Sequence, residues 1–209
     1  MGVNVPIEEL RIVPANESTA ADLQALFNEG GDARGCQCQW FRGSAAEYRA
    51  IPPAERITRF NEQAHFGDSG TDTSGLVAYL RDEPVGWCAV APRTEYVRLR
   101  NSRLVWSGRD EDRDDDRVWT VSCFVTRKSY RRRGISYALA EAAIDFARQR
   151  GASAVEGYPL IIEPKKSAGW AELYVGSSKV FAAAGFREIS RPTERRVVMR
   201  IDLDQPEFE

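Results

Sequence analysis

Arg131-Arg132-Arg133-Gly134-Ile135-Ser136 stands between a strand-like run, Val118 to Val125, and a helix-like run, Tyr137 to Arg150. The N–H groups of a helix's first turn lack intrahelical partners, and the helix dipole places partial positive charge there. A strand, a short basic turn and a helix start therefore make a cradle for a pyrophosphate. Gly134 has no Cβ, so its backbone approaches an anion closely. The three arginines add permanent positive charge in a forked geometry that suits phosphate. Arg127 and Lys128 extend the cluster and are expected to steer an anion toward it.

Outward from this stretch, composition removes several alternatives. The chain has 209 residues, 43% hydrophobic and 29% charged, with a net charge of −2. One domain over 1–209, with its core at about 9–204, is expected. The acidic balance argues against general nucleic-acid binding. The start, Met1 to Pro6, has no basic and apolar leader pattern, and no apolar run reaches transmembrane length. A soluble cytoplasmic protein with no membrane partner is the expectation. The single histidine, His65, excludes a histidine-rich metal site. Cys88 and Cys123 lie inside strand-like runs rather than on ligand knuckles, so no metal is expected. The charged run Arg109 to Arg117 lacks the glycine and terminal glutamate of a calcium loop and reads as solvated. Neither a P-loop nor a dinucleotide glycine pattern is present.

The remaining elements follow from period and punctuation. Leu10 to Val13 reads as a first strand. A helix capped by Ser18 or Thr19 carries Leu23, Leu26 and Phe27 on one face and stops at Gly30-Gly31. Residues 32–51 read as irregular. A helix opens at Pro52-Pro53 and runs to about Phe66, with Ile57, Phe60 and Ala64 inward. Gly75–Leu80 and Pro84–Ala91 read as an antiparallel hairpin. After the basic turn, Ile135, Leu139, Ala142, Ala143, Phe146 and Ala147 form an apolar helical stripe. Ala154 to Tyr158 is the next strand. A loop with Pro159, Pro164 and Gly169 leads to a short helix, Ser177 to Ala184, and strands Arg187–Ser190 and Arg196–Leu203 close the chain.

Arg131-x-x-Gly134-x-Ser136 after a strand resembles the coenzyme A signature of the GNAT N-acetyltransferase superfamily, with Ser136 in place of the usual Gly or Ala. The element order also resembles that fold over nearly the whole chain. More narrowly, the chain is similar to a bacterial subgroup with Cys-x-Cys-x-Trp (Cys36, Cys38, Trp40), Cys123-Phe124 with Tyr130-Arg131, Glu156-Gly157-Tyr158-Pro159, and Phe181 with Gly185-Phe186. The resemblance implies an α+β, three-layer architecture: a mostly antiparallel twisted sheet of six to seven strands flanked by about four helices. It implies acetyl-CoA as co-substrate, an amine acceptor that is a small molecule or peptide, and a monomer or homodimer. It places coenzyme A on Arg131, Arg132, Arg133, Gly134, Ile135 and Ser136. Its pantetheine arm would run along the edge of the central strand at Phe124, Val125 and Thr126, which splays from its neighbour and pairs with the arm as a strand would.

Acyl transfer from a thioester to an amine needs a held donor, a polarised carbonyl, a neutral amine and help for the departing thiolate. Glu156 is the candidate base, on the same face as Tyr158, and an apolar surround is expected to raise its pKa. Relatives place a tyrosine four residues before the Gly-Phe that ends the last helix. Here that position is Phe181, which has no proton to give, so Tyr174 is the candidate acid, with Ser177 and Ser178 beside it. Cys36 and Cys38 suggest an acyl-cysteine route, but no histidine or carboxylate is placed to activate either. Trp40, Phe41 and Trp87 are expected to line the acceptor pocket. Phe181, and the lack of a carboxylate on the central strand, keep open an alternative: a coenzyme-binding sensor without turnover.

Overall fold

The computed structural model describes residues 9–29, 31–70, 72–162 and 173–203. Gly30, Pro164, Gly169 and the chain beyond Leu203 lie outside them. The described elements are β1 (Leu10–Pro14), α1 (Ala20–Phe27), α2 (Asp32–Cys36), α3 (Ala45–Ala50), α4 (Pro53–Ala64), β2 (Gly75–Leu80), β3 (Glu83–Pro92), α5 (Val97–Arg100), β4 (Val118–Thr126), α6 (Ile135–Arg148), β5 (Ala154–Gly157), α7 (Ser178–Ala183), β6 (Arg187–Thr193) and β7 (Arg196–Asp202). The strands form one sheet in the order β1-β2-β3-β4-β5-β7-β6, antiparallel except where β4 meets β5. The expected mixed, mostly antiparallel architecture is present.

Helices cover both faces, and this explains the near-continuous apolar run of β3. Val85, Cys88 and Val90 pack with α6 residues Ile135, Leu139 and Ala143 on one side. Trp87 packs with Phe27 of α1 and Phe60 of α4 on the other, with ring centroids 6.3 and 5.2 Å away. The α6 stripe is buried as expected, except Ala142, which is half-buried. Gly86 admits α6 to the sheet: a Cβ there would sit 2.6 Å from Ile135 Cγ2.

Three short helices occupy segments read as irregular. Helix α3 is held by a capping box. Ser44 Oγ accepts from Glu47 N–H at 3.2 Å, and Ser44 N–H donates to Glu47 Oε2 at 2.6 Å. The signal Ser44-x-x-Glu47 was present in the sequence. Helices α2 and α5 have five and four residues, too short to show a period.

Strands β4 and β5 pair only from Val118↔Ala154 to Val121↔Gly157. Against β3, the register jumps between Ala89↔Cys123 and Val90↔Val121, so Ser122 is an extra residue in β4. Phe181 of α7 is fully buried, edge-on to Phe124 and Phe186 at 5.8 and 5.1 Å. Gly157 makes room for it: a Cβ there would lie 2.1 Å from the Phe181 ring.

Candidate functional site

The basic turn is built as its sequence requires. Gly134, at φ +86°, caps α6 in the left-handed region, and Arg132 also has positive φ. Among the described residues, the N–H groups of residues 132–136 have no backbone acceptor outside helix α6, whose own ladder begins beyond them. Arg131 Nε donates to Thr126 O at 3.2 Å, tying the turn to the end of β4. Arg133 stacks on Tyr130 at 5.2 Å. Ile135 is buried beneath the turn, and Ser136 is half-buried in the first helical turn. Arg127 does not serve as a free steering charge. It is paired with Glu29 at 2.6 Å, and the same carboxylate accepts from Lys128 N–H at 2.7 Å.

Beyond Val121 the β4 edge is released from β5, as expected of the splay. It is not open at Phe124, however. Phe124 N–H donates to Tyr174 O at 2.6 Å. Tyr174 also reaches across the opening, where its hydroxyl accepts from Ala33 N–H at 3.3 Å. Burial raises the phenol's pKa, against the opposing hydrogen bond from Ala33. Val125 is buried in the α1/α4 layer, so only its backbone is placed to meet a ligand.

The splay opens into a cavity of about 750 Å³. Ser122, Cys123, Tyr158 and Tyr174 line its inner end, and Trp40, Phe41, Tyr48 and Leu104 line walls farther out. Trp40 and Phe41, expected in an acceptor pocket, thus line this cavity. Trp87 is fully buried in the core, and its indole N–H donates to Cys38 Sγ at 3.2 Å.

Glu156 is fully buried but not in an apolar surround. Its Oε1 accepts from Arg109 at 2.5 Å, Arg200 at 3.2 Å and Arg93 at 3.3 Å, and its Oε2 accepts from Tyr158 OH at 2.9 Å. Glu111 pairs with Arg109, and Asp202 pairs with Arg200 and Arg187, extending the group. Burial alone would lower the Arg109 pKa, but hydrogen bonds to Glu111 and Glu156 hold it above the usual range. Arg93 and Arg109 stack on Trp106 at 4.8 and 4.7 Å. A carboxylate so fully bonded has no open position for a substrate proton. Tyr158, rather than Glu156, faces the cavity. Burial, then the Glu156 charge, pushes the Tyr158 phenol well up, so it stays protonated. Arg93, Arg109 and Arg200 were missed in sequence, and Arg109 is buried although its charged run reads as solvated. No local signal marks them, because their partner lies 44 to 63 residues away.

Neither Cys36 nor Cys123 is activated. Burial lifts Cys36 to about 11, and Cys123 is raised by its hydrogen bond with Cys38 and by burial. Alkylation of Cys36 by iodoacetamide at pH 8 is therefore expected to be on the order of 100-fold slower than that of free cysteine. A rate equal to free cysteine, read by mass spectrometry of native protein, would contradict this. Among the described residues no cluster of three or more His, Cys, Asp or Glu is placed to hold a metal, and no helix is long and apolar enough to cross a membrane.

Solved structures of similar fold include N-acetyltransferases. A GCN5-related N-acetyltransferase from Kribbella flavida is 18% identical, covering 95% of this chain and 100% of its own, with a TM-score of 0.52. YncA of Salmonella typhimurium, a putative acetyltransferase solved with acetyl-CoA, is 14% identical, covering 96% and 97%, with a TM-score of 0.52. The PaiA N-acetyltransferase of Thermoplasma acidophilum, in complex with coenzyme A, is 11% identical, covering 93% and 99%, at 0.50. No curated protein matches the sequence. The model of the acetyltransferase (GNAT) family matches residues 38–157, more than half of the chain and the part that holds β4, the basic turn and α6. The chain therefore belongs to the GNAT acetyltransferase family.

Proposed function

We propose that this protein transfers an acyl group, acetyl in the first instance, from acyl-CoA to a primary amine by direct attack in a ternary complex. The observation that carries the reading is the basic turn, with its left-handed Gly134 and free N–H groups, set one strand-length from a cavity ending at Cys123. The backbone N–H groups of residues 132–136 and the guanidiniums of Arg131, Arg132 and Arg133 would hold the diphosphate. The released edge at Phe124 and Thr126 would take the pantetheine arm, which must displace the Tyr174 carbonyl from Phe124 N–H. That N–H then becomes a donor for the arm or the thioester oxygen.

Tyr174 is the proposed proton donor to the departing thiolate. Its hydroxyl accepts from Ala33 and keeps its own proton to give. Glu156 is a positioning residue: it fixes the Tyr158 hydroxyl and does not touch the amine.

Free thiol released from acetyl-CoA with an amine panel tests the reading. Turnover that falls at least tenfold in Tyr174→Phe supports it. Thermal stabilisation by acetyl-CoA with no thiol release from any amine would favour the sensor reading instead. That alternative is favoured by one observation, the Tyr174 carbonyl already seated on the strand edge.

A further inference from the structure

On the acyl-CoA reading above, the geometry points to an acceptor of one chemical kind: a small hydrophobic amine, with a single primary ammonium on an apolar, ring-bearing body. The cavity volume of about 750 Å³ fits a molecule of this size beside a thioester. Among its described lining residues only Asp32 and Arg196 carry charge. Asp32, exposed at the rim, offers a carboxylate that attracts an ammonium as it enters. A polyamine or aminoglycoside would bring several ammonium groups against described walls that are mainly apolar and would leave Trp40 and Leu104 uncovered. Each extra charge would lose water against those apolar walls.

The outer part of the cavity carries a second, independent indication. Trp40 and Leu104, at 42% and 44% exposure, are two of the three large hydrophobic side chains left exposed among the described residues. Both line this cavity. Trp40 is held rather than loose. Tyr48 meets it edge-on at 5.0 Å, the Arg98 guanidinium lies over it at 3.9 Å, and Arg98 Nε donates to its carbonyl at 2.6 Å. A fixed, wet aromatic wall gains most from a ligand that covers it with apolar surface. An apolar body seated there directs its amine inward, toward Ser122 and Cys123, where the thioester would end. The ammonium gives one proton to solvent, the neutral amine nitrogen attacks the thioester carbonyl, and the C–S bond breaks; the thiolate takes the Tyr174 proton and leaves as thiol, and the proton the amide nitrogen sheds restores the Tyr174 hydroxyl.

The test compares kcat/KM for acetyl transfer to 2-phenylethylamine and tryptamine with spermidine, kanamycin and a lysine-containing peptide, alongside calorimetry with acetyl-CoA. A preference of at least 100-fold for the two aryl amines is expected. Trp40→Ala should raise the phenylethylamine KM at least tenfold while acetyl-CoA affinity stays within twofold, and Trp40→Phe should restore KM to within threefold. Preference for spermidine, kanamycin or the peptide, or acetyl-CoA binding without turnover of either aryl amine, overturns this inference and leaves coenzyme binding standing. Absence of acetyl-CoA binding overturns the underlying reading, and the inference with it.

Discussion

Glu156→Ala is expected to lower the melting temperature by about 6–20 °C. The side chain is fully buried and accepts hydrogen bonds from three guanidiniums and one phenol. Removing one member of a buried ion group leaves the others as uncompensated charges, a loss of about 3–5 kcal/mol. For a chain of this size each kcal/mol moves the midpoint by about 2–4 °C. Arg93 suffers most, because it is fully buried and has no route to water. Arg200 is partly exposed and recovers some hydration. Glu156→Gln keeps an acceptor for Tyr158 and should fall between wild type and alanine. Differential scanning fluorimetry checks both, and a shift below about 2 °C for the alanine variant would show that the network contributes little.

The second large effect is expected at the basic turn. Ser136→Asp places a carboxylate in the first turn of α6, which the helix dipole favours by about 0.3–1 kcal/mol. The same carboxylate opposes a bound diphosphate. At about 4 Å and an effective dielectric near 20, two like unit charges repel by about 4 kcal/mol, and partial exposure of the turn reduces this toward two orders of magnitude in affinity. The expected outcome is a Kd for acetyl-CoA raised about 100-fold, with the melting temperature unchanged or slightly higher. Isothermal calorimetry and fluorimetry read the two quantities separately. Affinity within threefold of wild type would remove the diphosphate from this turn. The contrast matters because a variant that merely unfolds moves both readings in the destabilising direction.

Much of the architecture was legible along the chain. The hairpin of β2 and β3, the buried β4 and the stripe of α6 each repeat a local period over enough residues to be read. The helices that escaped notice are the short ones, and of these only α3 carried a usable local mark, the Ser44–Glu47 box. The site divides in the same way. The Arg131–Ser136 turn was legible because six consecutive residues, bounded by a strand and a helix, contain the whole proposed anion cradle. Trp40 and Phe41, which line the cavity, were expected there from the resemblance alone, since no local period marks them. Trp87 was misplaced because strand alternation does not say which of two covered faces is solid core.

Sequence alone determined the strand–turn–helix unit and the buried stripe of α6, since those depend on neighbours within a few residues. Tertiary structure decided the character of the side chains around the reaction centre. Glu156 became the centre of an ion group because Arg93, Arg109 and Arg200 converge on it from 63, 47 and 44 residues away. Tyr174 lies on the β4 edge only because the chain folds back across the gap between β4 and β5. Charge and burial at a point in space are sums over everything that packs there, and a linear order of residues carries no term for distances of that kind.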